Sequence, residues 1–214
     1  MRLENIKVYD LEESIIASGY PMQTTTMMRP VIDKDWRRCK NLTKASNGNG
    51  AHGQWMTGVR VSFDLTFTNK AWVEAERYRF LEFVSSQSTM HRITKFDISK
   101  QYNEYVDPIV IQIMVHKIDE YNRLCERIEK ITNKETRHML EEQRKRKYLE
   151  ILYTNPSGFE LTARLTTDYR CLLNIYIQRY NHRLPEWREF CKKLLKLPGF
   201  KELVDAYNSG KVEL

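Results

Sequence analysis

Two stretches of apolar–polar alternation, each running directly into a helical stretch, constrain this chain more than any other feature. From Thr57 to Thr68, Val59, Val61, Phe63, Leu65 and Phe67 alternate with Arg60, Ser62, Asp64 and Thr66. A strand turns successive side chains to opposite faces, so the pattern predicts a strand with one face buried. Phe159 to Thr167 repeats it, with Phe159, Leu161, Ala163 and Leu165 set against Glu160, Thr162, Arg164 and Thr166, after the turn-forming Asn155, Pro156, Ser157 and Gly158. A helix is predicted after each: Lys70 to about Met90, and Tyr169 to about Asn181 with Asp168 as its N-cap.

Asp107 and Pro108 open a long helix in which Ile111, Met114, Ile118, Tyr121, Leu124, Ile128 and Ile131 recur at helical spacing. Thr132 and Asn133 interrupt it. A more polar helix is expected over Lys134 to Tyr153, its sparse apolar positions being Met139, Leu140, Tyr148, Leu149 and Leu152. Pro185 opens a last helix that buries Trp187, Phe190, Cys191, Leu194 and Leu195, and Pro198 and Gly199 end it. Lys44 to Gly53 reads as a flexible loop. Strands interleaved with long helices predict an α+β or α/β fold, a single domain over residues 1–214 with an antiparallel or mixed sheet flanked by long helices.

Composition narrows the function classes. No uncharged run approaches the roughly 20 apolar residues of a membrane span, and the start of the chain lacks a signal-peptide core, so a cytoplasmic protein is expected. Cys39, Cys125, Cys171 and Cys191 are too dispersed for a disulfide framework or a zinc site, and neither they nor the five histidines have metal spacing. Free thiols and no metal are expected. The net charge of +7 suits an anionic partner, although the run Arg144, Lys145, Arg146, Lys147 also reads as a solvated helix face.

The arginines beside the strand-to-helix junctions are more specific. Arg170 falls at a helix start, where the macrodipole disfavours a cation. A bound phosphate or a salt bridge to Asp168 would each account for it. Arg77 shares the predicted helix face with Val73, Phe80, Leu81 and Val84, and there it either reaches water or lines a pocket for an anion. A hydroxyl-rich stretch containing Gln87, Ser88 and Arg92 follows.

These residues resemble the flavin-dependent thymidylate synthase family. The family's arginine-histidine-arginine triplet with a serine downstream is matched by Arg77, Tyr78, Arg79 and Ser88, and His52 stands at the spacing of the family's upstream histidine. A second block, a strand ending Thr-x-Asn-x-Arg followed by Leu-x-Asn and a later arginine, is matched by Thr166, Asp168, Arg170, Leu172, Asn174 and Arg179. The blocks lie in the family's order and, with the intervening strand and helix, cover about half the chain.

The resemblance implies a homotetramer whose subunits share active sites, binding FAD and dUMP and making dTMP with methylenetetrahydrofolate and NADPH. His52, Arg77, Arg79 and Asn174 would bind the cofactor. Gln87, Ser88, Arg92, Arg170 and Arg179 would bind the nucleotide, with Arg170 and Ser88 acting on the reacting ring. Departures from the family's pattern fall in the same region: Tyr78 replaces histidine, Asp168 replaces asparagine, and Leu152 stands where a nucleotide-binding arginine belongs, with Arg164 nearby as a substitute. They point to a second reading, a same-fold enzyme acting on a different pyrimidine nucleotide. Further readings are a basic nucleic-acid-binding module, for which no recognised motif is present, and a catalytically silent scaffold.

Overall fold

A computed structural model of the chain describes residues 1–210. Four strands, β1 (Arg2–Tyr9), β2 (Arg60–Thr68), β3 (Glu82–Ser86) and β4 (Glu160–Asp168), form an antiparallel sheet in the order β1-β2-β4-β3. The helices are α1 (Leu11–Ala17), α2 (Asp33–Ala45), α3 (Asn69–Ala75), α4 (Thr89–Arg92), α5 (Pro108–Lys130), α6 (Lys134–Thr154), α7 (Tyr169–Arg179), α8 (Pro185–Leu194) and α9 (Phe200–Ser209). The mixed helix-and-sheet class is as the sequence predicts. No described helix is long and apolar enough to cross a membrane.

The chain divides into two compact units. The first comprises Met1–Leu65, Val73–Ser85 and the described residues from Ala163 onward; the second comprises Thr66–Trp72 and Ser86–Thr162. In the first, Val59, Val61, Phe63 and Leu65 are fully buried, as the alternation demands, and Phe63 meets Phe190 of α8 at 5.8 Å between ring centroids. Trp187 and Leu194 complete that apolar face of α8, whereas Leu195 is only partly buried. The β2–β4 register sets Arg164 beside Asp64 at 3.1 Å. Gly199 takes φ 67° and approaches Trp36 so closely that a Cβ there would overlap the indole ring.

In the second unit, Met114 and Ile118 of α5 pack with Ile93, Ile98, Ile151 and Phe159. Leu124, Ile128 and Leu140 form a smaller cluster in the α5–α6 hairpin. Both helices carry the caps their sequences specify: the Asp107 carboxylate accepts from the Ile109 amide at 2.8 Å, and the Asn133 amide oxygen accepts from the Thr136 amide at 3.0 Å. Met139 and Leu149 are exposed, and Ile151 is the deeply buried residue of the second half of α6. The expected loop after α2 is shorter than predicted, because Gly50–Thr57 winds into 3₁₀ turns.

The predicted helix from Lys70 to Met90 does not form. It stops at Ala75; tight turns follow in which the Tyr78 amide donates to the Ala75 carbonyl and the Leu81 amide to the Tyr78 carbonyl, each at 3.0 Å, and the chain then becomes strand β3. The Glu82–Ser86 segment contains Phe83, Val84 and two serines, weak helix formers, and β4 offers it a free edge of hydrogen bonds. The Val73, Phe80, Leu81 and Val84 face proposed around Arg77 therefore does not exist: Leu81 is buried, whereas Val73, Phe80 and Val84 are exposed.

Candidate functional site

Breaking that helix carries Arg77, Tyr78, Arg79 and Phe80 out on a turn within the first unit, and they line an open cavity of about 920 Å3. Its other walls come from the 3₁₀ segment (Gly50, Gly53, Gln54), from β2 through Arg60, from β3 through Glu82, and from the start of α7 through Asp168, Arg170 and Asn174. Four guanidinium groups thus line one cavity. Among the described residues no carboxylate lies within 4.0 Å of the guanidinium of Arg77, Arg79 or Arg170.

Arg170 is oriented by neutral acceptors. It donates to Gln54 Oε1 at 2.6 Å and to the Gly50 carbonyl at 3.0 Å, and among the described residues neither Asp168 nor any other carboxylate comes within 4.0 Å of its guanidinium. Asp168 does what its position predicts: its Oδ1 accepts from the Cys171 amide at 2.8 Å and caps α7. Its Oδ2 meets Arg60 at 3.5 Å, and Glu82 meets the same guanidinium at 3.6 Å. Burial, outweighing the amide bonds and the arginine charges, raises the Asp168 carboxyl above its ordinary pKa. Burial likewise pushes the Cys171 thiol up to about 11, which leaves it protonated and unsuited to attack.

Behind the turn, Arg179 is committed to structure. Its Nε donates to the Tyr78 hydroxyl at 2.8 Å, its NH1 pairs with Glu74 at 2.8 Å, and it stacks over the Trp187 ring at 5.1 Å. The Trp187 indole N–H donates to the same Glu74 oxygen at 3.1 Å, and the Tyr78 hydroxyl donates to Gln178 at 2.9 Å. This half-buried network fixes the arginine-bearing turn against α7 and α8. Tyr78, at the central position of the triplet, acts here as a strut.

The structure therefore gathers Arg77, Arg79, Arg170 and Asn174 around one cavity, with Arg179 behind it. His52 lines a separate cavity of about 460 Å3 with Ser14, Ser18, Leu42 and Trp55. Gln87, Ser88 and Arg92 belong to the second unit, where Gln87 extends the β3–β4 pairing through mutual hydrogen bonds with the Thr162 backbone at 3.0 Å and Ser88 precedes α4. Arg164 does not line the cavity; it is held by Asp64 and by the Asn5 carbonyl. Leu152 packs on the core of the second unit. No group of three or more metal-ligating side chains occurs among the described residues.

Sequence reasoning missed Arg60 and Glu82. Arg60 was visible as a polar residue on an alternating strand, but nothing local marks which polar residue faces a cavity. Glu82 was concealed by the helix assigned across it.

No protein-family model and no curated protein matches the sequence. Among solved structures the likeness is unambiguous at the level of fold: the chain has the flavin-dependent thymidylate synthase fold. The flavin-dependent thymidylate synthase ThyX of Helicobacter pylori, complexed with FAD and dUMP, aligns over 95% of this chain and 97% of its own with a TM-score of 0.63 and 18% identity. A second structure of that enzyme with FAD and dUMP aligns over 97% and 99% with a TM-score of 0.60 and 15% identity. The UMP/dUMP methylase PolB of Streptomyces cacaoi, bound with 5-Br dUMP, aligns over 97% and 94% with a TM-score of 0.62 and 10% identity.

A flavin dinucleotide suits the lining described above. Its pyrophosphate is dianionic, and among the described residues no carboxylate lies within ion-pair distance of the exposed guanidinium groups of Arg77 and Arg79.

Proposed function

We propose that this chain is a flavin-dependent enzyme that reductively methylates a pyrimidine nucleotide at C5, with methylenetetrahydrofolate as carbon donor and NADPH as reductant, the reaction that converts dUMP to dTMP in the family it resembles. The observation that carries the reading is the cavity lined by Arg77, Arg79 and Arg170, none of which has a carboxylate within 4.0 Å of its guanidinium among the described residues. Guanidinium groups gathered on one cavity wall concentrate positive charge there, and phosphates are the anions that a planar donor fork fits best.

In this reading Arg77 and Arg79 hold the flavin's pyrophosphate, and Asn174 contributes a neutral amide to the same wall. When bound, the flavin supplies the hydride for the reduction. Arg170, aimed by Gln54 and the Gly50 carbonyl, holds the nucleotide and stabilises negative charge developing on the pyrimidine ring as C5 becomes nucleophilic. Holding that guanidinium in place before the ligand arrives removes an ordering cost from the reaction. Arg179 serves by holding Tyr78 and thereby the turn. Gln87, Ser88, Arg92 and His52 act from elsewhere in a homotetramer whose subunits share sites. The exposed apolar side chains of Val73, Phe80 and Val84 are compatible with such an assembly, since a subunit contact would cover them.

The reading as a nucleic-acid-binding module has less support. Lys145, Arg146 and Lys147 lie beside Glu142, Glu150 and Glu120 at 2.7, 3.3 and 3.0 Å, so acidic side chains are interspersed with the basic run on its own hairpin.

The test is a visible absorption spectrum of the purified protein before and after addition of FAD, with free dye removed by gel filtration. A retained flavin spectrum that bleaches with NADPH and recovers on addition of nucleotide and methylenetetrahydrofolate is expected. A protein that takes up no FAD overturns the proposal.

A further inference from the structure

The cavity contains two carboxylates that a pure phosphate site would exclude, and one of them is nearly inaccessible. Asp168 is buried, yet its side chain lines the cavity, and its two oxygens have unequal duties. Oδ1 is occupied by the cap of α7 at 2.8 Å. Oδ2 faces Arg60 at 3.5 Å, well beyond the roughly 2.7–2.9 Å of a charge-assisted bond, and so retains capacity to accept another hydrogen bond. Arg60 is not drawn closer because it is shared with Glu82 at 3.6 Å and donates to the Thr166 hydroxyl at 3.3 Å.

We propose that Asp168 makes this cavity selective for a pyrimidine bearing an exocyclic amino group, a cytosine nucleotide in preference to a uracil nucleotide. The proposal rests on the reading of the cavity as a pyrimidine nucleotide site and names the base that site takes. The α7 cap and the Arg60 pairing hold this carboxylate oxygen at the cavity wall, where it favours a ligand that presents an N–H group over one that presents only acceptors. Cytosine presents an amino group at C4 with a bare ring nitrogen beside it. Uracil presents a carbonyl at C4, and its one ring N–H lies between two carbonyl oxygens, so a carboxylate that meets the N–H brings an oxygen against one of them. Arg60 is the positioning residue that keeps the Asp168 side chain turned into the cavity.

Equilibrium binding of dCMP and dUMP to the intact protein and to Asp168→Asn tests this. Asparagine retains the oxygen that caps α7, so the variant keeps the helix start. The expected result is a preference for dCMP of about tenfold in the unaltered protein, the size of discrimination one well-placed polar contact to a base supplies, and its loss or inversion in Asp168→Asn. Equal binding, a preference for dUMP, or an unchanged ratio in the variant overturns the assignment to Asp168. Binding of neither nucleotide by a protein that retains FAD removes the nucleotide reading of the cavity together with this inference.

Discussion

The Nε of Arg179 donates to the hydroxyl of Tyr78 at 2.8 Å, joining the last turn of α7 to the centre of the arginine-bearing turn. Residues that the sequence motif groups as ligand contacts are thereby separated into two roles. Arg77 and Arg79 line the cavity with no carboxylate partner among the described residues, whereas Arg179, with 16% of its side chain exposed and paired to Glu74, belongs to the support.

Arg179→Ala is accordingly expected to cost about 2 kcal/mol or more of stability, because it leaves the Glu74 carboxylate partly buried without its arginine. Urea unfolding followed by circular dichroism measures this. Tyr78→Phe, which removes only the hydroxyl, should cost about 1 kcal/mol. Identical midpoints for Arg179→Ala and the unaltered protein would show that the network contributes nothing to the fold.

Arg79→Ala should lose flavin with an unfolding midpoint close to the parent, since an exposed side chain changes stability by only about 0.5 kcal/mol. Arg170→Ala should lose nucleotide while staying folded, with a loss of about 1 kcal/mol from its hydrogen bonds to Gln54 and the Gly50 carbonyl. Flavin titration and nucleotide titration of each variant check this. Normal binding of both ligands by both variants removes these arginines from the site.

The two buried aspartates have opposite linkage. Asp35 accepts from Arg29 at 2.6 and 2.9 Å, from Arg38 at 2.9 Å and from the Ile32 amide at 3.1 Å, and the Arg29 hydrogen bonds, the leading cause, hold its carboxyl far below the ordinary carboxylate pKa. A lowered folded-state pKa stabilises above the unfolded value of about 3.9, and that contribution is lost as pH falls through the folded value. Asp35→Asn should therefore be less stable than the parent at pH 7, with the difference narrowing as the pH is lowered from about 5. For Asp168, whose pKa burial raises, the contribution is present below the unfolded value and is lost as pH rises through the folded one. Asp168→Asn should therefore gain relative to the parent as pH rises above about 4. Melting temperatures across a pH series read both differences, and slopes of the same sign for the two variants would contradict this account.

Gly199→Ala is expected to destabilise the chain by more than about 1 kcal/mol, since the left-handed conformation is strained for alanine and its Cβ would overlap the Trp36 ring. Thermal unfolding of the variant, with Ala206→Gly at a partly exposed position of α9 as a helix-propensity reference, separates the steric effect from a general weakening of that helix.

What the sequence by itself determined is local in origin. Strands β2 and β4, the helix start at Asp107, the break at Asn133, the Asp168 cap and the buried face of α8 were legible because each depends on a period or on a contact between residues a few positions apart. The motif also brought Arg77, Arg79 and Arg170 forward as a group. What only the tertiary structure decided depends on partners distant in sequence. Helical spacing from Val73 to Val84 favoured a helix, and the free edge of β4, remote in the chain, made β3 the better solution for Glu82–Ser86. Arg60 and Asp168 are separated by 107 intervening residues, Arg179 and Tyr78 by 100, and no local pattern specifies which arginine meets a carboxylate and which is left for a ligand. That division follows from strand pairing and helix packing, which set distances between charges that the sequence lists but does not place.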